Sequence, residues 1–302
     1  MLPFARVTVI GMGLIGSSLT RAIRERMPTV ALTVHDADPA VRERVRALDL
    51  ADDVTDTAGA AVIDADLVIL AVPVLAMMKV AASIADDLPA GCVVSDTGSV
   101  KASVVADLVE VLPEGTAIVP AHPVAGTENS GPDAGFATLF DGRWCILTPP
   151  AGADALAVTK VSEFWTRLGA KVEIMEAAHH DMVLAVTSHL PHLIAYSIVG
   201  TASDLEDVTK SEVIKYSAGG FRDFTRIAAS DPVMWRDVFL SNKDAVLSVL
   251  QRFTEDLTAL QRAIRWGDGA FLEALFTRTR AVRRGVIDEG QDTGEADFGR
   301  KH

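Results

Sequence analysis

The stretch Arg6–Leu19, RVTVIGMGLIGSSL, leaves a chain few ways to fold. β-Branched and apolar residues from Val7 to Ile10 run into Gly11, Gly13 and Gly16, and an apolar-periodic segment continues through Ile23. The order is strand, tight turn, helix. Gly11 permits the turn, Gly13 lets the backbone approach a pyrophosphate, and Gly16 lets helix and strand pack closely. The phosphates would sit on the exposed amides of the helix N-terminus, where the macrodipole favours anions. An acid, Asp36, lies 20 residues past Gly16 at the end of a second strand, VALTVHD. A carboxylate there accepts hydrogen bonds from the ribose hydroxyls of NAD and repels the 2′-phosphate of NADP. NAD is therefore the expected cofactor, with Gly11, Gly13, Leu14, Ile15, Gly16, Asp36, Val72, Pro73 and Thr97 as its binding set. Arg42 and Arg44 follow Pro39 on a helix and are expected to be solvated.

Strands alternate with helices from the N-terminus to about Pro150. Apolar runs at Asp66–Val72, Cys92–Asp96, Thr116–Ala121 and Trp144–Thr148 read as strands, and a helix and strand to Met175 extend the unit. Such a pattern implies a parallel sheet covered on both faces, with ligands outside the carboxyl ends of its strands. Ser99 and His122 both fall just past a strand end, so they should share the cofactor's crevice. After about Glu176 the β signals stop. The expected class is α/β plus all-α: a Rossmann-type doubly wound domain over 1–176, a helical substrate and dimerisation domain over 177–288, and a disordered tail over 289–302.

Residues 182–202 carry no Asp, Glu, Lys or Arg over 21 positions, enough to cross a bilayer. Ser188, His189, Pro191 and His192 interrupt the middle, so a buried helix of a soluble enzyme is the better reading. Pro191 should kink it by freeing the carbonyl of Thr187. Further on, a helix with Pro232 in its first turn, capped by Ser230 or Asp231, should run to about Arg265. Phe239 lies one heptad before Val246, and Val246, Leu250, Phe253, Leu257, Leu260 and Ile264 alternate four and three apart on it. This heptad seam packs either within the subunit or, as favoured here, between subunits.

The net charge of −13 argues against nucleic-acid or anionic-membrane partners and requires a local cation for any anionic substrate. Cys92 and Cys145 sit in apolar runs and read as reduced core thiols of a cytoplasmic protein. The chain enters a strand within its first few residues, so no signal peptide is expected.

Three further groups could carry chemistry. His122, held extended by Pro123, is either a general base at neutral pH or a loop histidine bonded to backbone. His189 and His192 share one helix face, and at least one reads as a core histidine with a satisfied hydrogen bond. They lack the spacing and acid of a zinc site, and no metal is expected. In GGFRDFTRIAASDP, Gly219–Pro232, Asp223 and Arg226 lie one turn apart. They form either a solvated ion pair or a carboxylate-binding guanidinium oriented by its acid.

Together GSVK (Gly98–Lys101), HPVAGTE (His122–Glu128), SHLPH (Ser188–His192) and GGFRDFTRIAASDPVMW (Gly219–Trp235) resemble the prephenate/arogenate (cyclohexadienyl) dehydrogenases, the TyrA family. The likeness covers about residues 5–285. It implies oxidative decarboxylation of a cyclohexadienol in tyrosine biosynthesis: hydride leaves the ring carbon bearing the hydroxyl for the nicotinamide, and the ring carboxylate departs as carbon dioxide. It implies His122 as base for that hydroxyl and Ser99 as its positioner. Arg226 would bind a substrate carboxylate with Asp223 in support, and His192 and His189 would line the pocket. Glu128 would lie at its mouth, and Trp235 would come from the partner of a homodimer. Neither a fused mutase nor a regulatory ACT domain is expected, so any inhibition by tyrosine should act at the active site. The motifs do not separate prephenate from arogenate. Alternatives are a β-hydroxyacid- or imine-type dehydrogenase and a nicotinamide-binding sensor without turnover. The first is disfavoured because no GxxGxxxKxxN lysine is found, the second because a sensor needs neither His122 nor Arg226.

Overall fold

A computed structural model of the chain describes residues 2–127, 129–204 and 219–288. Glu128 and the tail 289–302 lie outside the described residues. So does most of the polar loop expected near Ser203–Lys210.

Six parallel strands form the first sheet: β1 (Arg6–Ile10), β2 (Ala31–His35), β3 (Asp53–Val54), β4 (Leu67–Leu70), β5 (Val93–Asp96) and β6 (Ala117–Ile118). Their spatial order is β3-β2-β1-β4-β5-β6. This is the doubly wound Rossmann order, whose switch point lies between β1 and β4. The crossovers are α1 (Leu14–Arg26), α2 (Pro39–Ala47), α3 (Ala58–Val62), α4 (Met77–Ile84) and α5 (Ala102–Val111). Local chemistry starts several of them. Asp38 caps α2 by accepting from the Ala40 amide, ahead of Pro39, and the Thr57 hydroxyl caps α3. β4 is buried at every position, as expected of a strand covered on both faces. Val9, Leu67 and Ile69 pack with Phe140, Phe164 and Trp165 on one face. Val68, Leu70 and Val94 pack with Met77, Ile84, Val104 and Leu108 on the other.

The last strands depart from the single-sheet expectation. The run Thr116–Ala121 breaks at Pro120, which has no amide to continue the ladder. β7 (Ala121–Pro123) then starts a second sheet with β8 (Trp144–Leu147) and β9 (Lys171–Ile174), in the order β7-β8-β9. β7 runs antiparallel to β8, and β8 parallel to β9 across α6 (Ala155–Arg167).

The helical part begins with α7 (Ala177–Leu184), a π-turn over Ala185–His189, and α8 (Leu190–Asp204). The Leu190 amide bonds the Ala185 carbonyl, a five-residue span. The irregularity therefore lies just before Pro191, which lacks a donor of its own. The run Ala177–Asp204 is long and apolar enough to cross a membrane by length and composition, yet 28% of its apolar window is buried by this chain. The expectation of a buried helix fails for the single chain: His180, Asp181 and His189 are buried, whereas Met182, Val186 and Ile198 are exposed.

Next come α9 (Gly219–Thr225), a short 3-10 turn (Arg226–Ala229) and α10 (Pro232–Ser241), which is capped by Asp231. The long helix expected from Pro232 to Arg265 is interrupted. Asn242 leaves the helical conformation (φ −108°, ψ 32°), and α11 (Lys243–Trp266) begins after it. The Asn242 side chain is held by partners outside the helix, as described below. α12 (Gly269–Asp288) is the last described element.

Compact contacts divide the chain into Met1–Val246 and Leu247–His302. The sheets, α7–α10 and all candidate site residues belong to the first unit. Within the second, Leu257, Ile264, Phe276 and Val282 are exposed.

Candidate active site

The carboxyl ends of β1, β4 and β5 lie side by side in the sheet and carry the expected cofactor set. Gly11 has φ +97°, and a Cβ there would fall 2.4 Å from the Ala71 carbonyl oxygen. A Cβ on Gly16 would fall 1.9 Å from the Gly11 oxygen, so that glycine is required for helix-to-strand packing. Gly13 differs, because a Cβ there meets nothing within 4 Å. It is the N-cap of α1 and supplies no side-chain cap, so the first-turn amides remain open to an anion. Val72 packs beside Gly11. At the end of β2, Asp36 accepts from the Met12 amide at 2.7 Å and the Asp38 amide at 2.9 Å. These residues fit a dinucleotide: an uncapped helix start for the pyrophosphate and, next to it, an oriented carboxylate for a ribose.

Arg42 and Arg44 are not simply solvated. Arg42 donates to the Asp36 carbonyl at 2.8 Å and pairs with Asp56. Arg44 donates from Nε to both oxygens of Asp133, each at 3.0 Å, which ties α2 to the segment after Gly131.

Below the loop that carries Thr97 and Ser99 lies a buried ion pair. Lys101 Nζ bonds Asp96 and donates to the Ala121 carbonyl at 2.9 Å; both side chains are fully buried. Burial pulls Lys101 below its ordinary value and Asp96 above its own, each opposed by the other's charge. Asp96 also accepts from the amides of Gly98 and Ala121. One carboxylate thus shapes both the Ser99 loop and the start of β7. Ser99 is half-buried there.

His122, in β7, is buried. Its Nδ1 lies 2.8 Å from His180 Nε2, and the rings meet edge to face. His180 Nδ1 lies 2.8 Å from Asp181 Oδ1. The Asp181 carboxylate accepts from two amides at the start of α5, Lys101 at 2.8 Å and Ala102 at 2.9 Å. Desolvation holds His122 well below the usual histidine range, and the neighbouring His180, Lys101 and His189 add to this. Desolvation lowers His180 too, against the opposing pull of Asp181. These effects favour the neutral imidazole over the charged form.

Asn242 joins α7 to the helix break, donating to the Asp181 carbonyl at 2.8 Å and lying 3.1 Å from His189 Nδ1. His189 is fully buried, and burial lowers its pKa to about 4. It sits edge-on to Trp235, and its Nε2 is buried without a hydrogen-bond partner among the described residues. His192 is half-buried and stacks on Trp235 with ring centroids 3.6 Å apart. Its Nδ1 donates to the Ser188 carbonyl at 2.9 Å, which leaves Nε2 as an acceptor. Trp235 is 7% exposed and packs in the core of its own chain with Val238. After desolvation, the Arg226 guanidinium is among the groups that hold His192 down, which brings those two side chains near each other. Asp223 lies one turn earlier, at an exposed position of α9. His189, Trp235 and His192 thus form one cluster of rings, and the charge of Arg226 acts on its His192 end.

His180, Asp181, Lys101, Asp96 and Asn242 escaped sequence reasoning. The adjacent His180-Asp181 pair at the start of an apolar helix was the available signal, since buried polar groups need partners.

Comparison with known proteins identifies the family. Residues 19–174 match the family model for the prephenate dehydrogenase nucleotide-binding domain. Residues 176–278 match that for the prephenate dehydrogenase dimerization domain. A cyclohexadienyl dehydrogenase of Zymomonas mobilis is 47% identical over 94% of this chain and 96% of its own length. The prephenate dehydrogenase of Bacillus subtilis is 32% identical over 93% of this chain and 76% of its own length. A solved prephenate dehydrogenase from Aquifex aeolicus, in complex with hydroxyphenyl propionate and NAD+, superposes with a TM-score of 0.86 at 32% identity, covering 95% of this chain and 98% of that one. The chain belongs to the prephenate dehydrogenase family and is an oxidoreductase of that family.

Proposed function

We propose that the protein oxidatively decarboxylates prephenate, arogenate or both, with NAD as hydride acceptor, in the cytoplasmic synthesis of tyrosine. The observation that carries this reading is the buried His122 imidazole, hydrogen-bonded to His180, together with the His192–Trp235 stack on which the charge of the Arg226 guanidinium acts. Gly11, Gly13, Leu14, Ile15, Gly16, Asp36, Val72, Pro73 and Thr97 would hold NAD, which when bound supplies the acceptor for the ring hydride. His122 accepts the hydrogen bond of the substrate hydroxyl and draws off the positive charge that develops there as the hydride leaves. Ser99 orients the same hydroxyl. Arg226 binds a substrate carboxylate, with Asp223 beside it in sequence, and the His192–Trp235 stack forms an apolar wall for the ring. Loss of the other carboxylate as carbon dioxide makes the ring aromatic and draws the reaction forward.

The substrate is a small dicarboxylate, and the helical part contains a dimerization domain. We further propose a homodimer through that part, with the cofactor and helical domains meeting near Glu176. The exposed apolar residues Met182, Val186 and Ile198, and the α11 seam, support a covered face. Following reduced-cofactor absorbance with prephenate, arogenate and a β-hydroxyacid tests the reaction. Turnover of either cyclohexadienol is expected; turnover of the hydroxyacid alone would overturn the assignment.

A further inference from the structure

The order of the bonds around His180 fixes where its protons lie. A carboxylate only accepts hydrogen bonds, and Asp181 already accepts from the Lys101 and Ala102 amides. His180 Nδ1, 2.8 Å from Asp181 Oδ1, must therefore carry the hydrogen. Neutral His180 then has only a lone pair at Nε2. His122 Nδ1, 2.8 Å away, must donate to it. The remaining His122 nitrogen, Nε2, is left without a hydrogen.

We propose that His180 and Asp181 are positioning residues that lock His122 in the Nδ1–H tautomer, so that its Nε2 is always the proton acceptor. Sequence supplies the base on β7, while the lock comes from α7, more than fifty residues later, and is anchored to the backbone at the start of α5. Asn242 steadies the same turn through the Asp181 carbonyl. The arrangement follows the logic of a buried acid that orients a catalytic imidazole and selects its tautomer. Here a second imidazole is interposed between acid and base. When His122 takes a proton at Nε2, its Nδ1–H still donates to His180, so the imidazolium forms with no loss of a hydrogen bond. The tautomer statement is purely structural; its catalytic value rests on His122 being the base proposed above.

Uniform 15N-histidine labelling, read by two-bond correlation of ring protons to ring nitrogens, tests the tautomer directly. The chain has seven histidines, and the His122 ring is assigned by its disappearance in His122→Asn. The expected wild-type pattern at pH 7.5 is protonated Nδ1 and bare Nε2. In His180→Leu the His122 ring should become a tautomer mixture, kcat should fall by about 10²-fold, and KM should change little. His180→Gln, whose side-chain oxygen can take the place of Nε2 as acceptor, should restore the tautomer and recover at least about tenfold of that loss. This variant also serves if His180→Leu fails to fold, as judged by its melting temperature. A wild-type His122 protonated at Nε2 would overturn the lock. A His180→Leu enzyme with the wild-type tautomer or undiminished kcat would overturn the role of His180. If the tautomer pattern is as expected but His122→Asn is fully active, the failure belongs to the reading of His122 as base.

Discussion

The roles proposed for Arg226 and His122 can be separated by steady-state kinetics. Arg226 is expected to bind a carboxylate equally in ground and transition states. Arg226→Ala should therefore raise KM for prephenate while kcat changes less. A charge-assisted hydrogen bond of about 1.5–3 kcal/mol corresponds to a rise of roughly 10- to 100-fold. A fall in kcat with unchanged KM would reverse the assignment. At this scale the sequence was legible where a residue stands in a short motif: His122 before Pro123, Asp36 after a strand, Arg226 after a glycine pair. It was not legible where meaning depends on a distant partner. His180 and Asp181 matter because β7 and the start of α5 meet α7, a contact that no local spacing encodes. Likewise, only the fold puts the Trp235 ring on the His192 of its own chain.

Among the elements, the glycine turn makes a sharp prediction because its glycines differ in surroundings. Gly16→Ala forces a methyl to within 1.9 Å of a backbone oxygen and should lower the melting temperature markedly. Gly13→Ala meets open space and should leave the melting temperature near wild type while raising KM for NAD. Equal thermal loss in both would contradict the separation. Strand and helix order in the first domain followed from apolar runs and caps, and the sheet order obeys the usual doubly wound pattern. Two breaks were invisible in periodicity. Pro120 diverts the chain into a second sheet, and Asn242 ends a helix whose heptad pattern runs on past it. In each case a polar or donor-free residue outweighs a continuous apolar pattern, Asn242 because its amide is bound to Asp181 and His189.

For the molecule as a whole, several histidines are buried in neutral form. His189 is lowered from 6.5 to about 4, and His122 and His180 are lowered as well. Between those values the unfolded chain binds more protons than the folded one. Stability should therefore rise with pH from about 4 to about 6.5 and level off above, with His189 alone worth about 3 kcal/mol across that window. Denaturant melts at pH 5 and pH 7.5 measure this; equal midpoints would show that the buried histidines charge freely. The proposed homodimer covers the apolar faces of the helical part and predicts a dimer mass by light scattering. The central claim, that a buried imidazole takes charge from the reacting hydroxyl, is tested most directly by the steady-state kinetics of His122→Asn with prephenate at saturating NAD. A kcat lowered by about 10²- to 10⁴-fold with KM nearly unchanged is expected. A variant that turns over at the wild-type rate would contradict it.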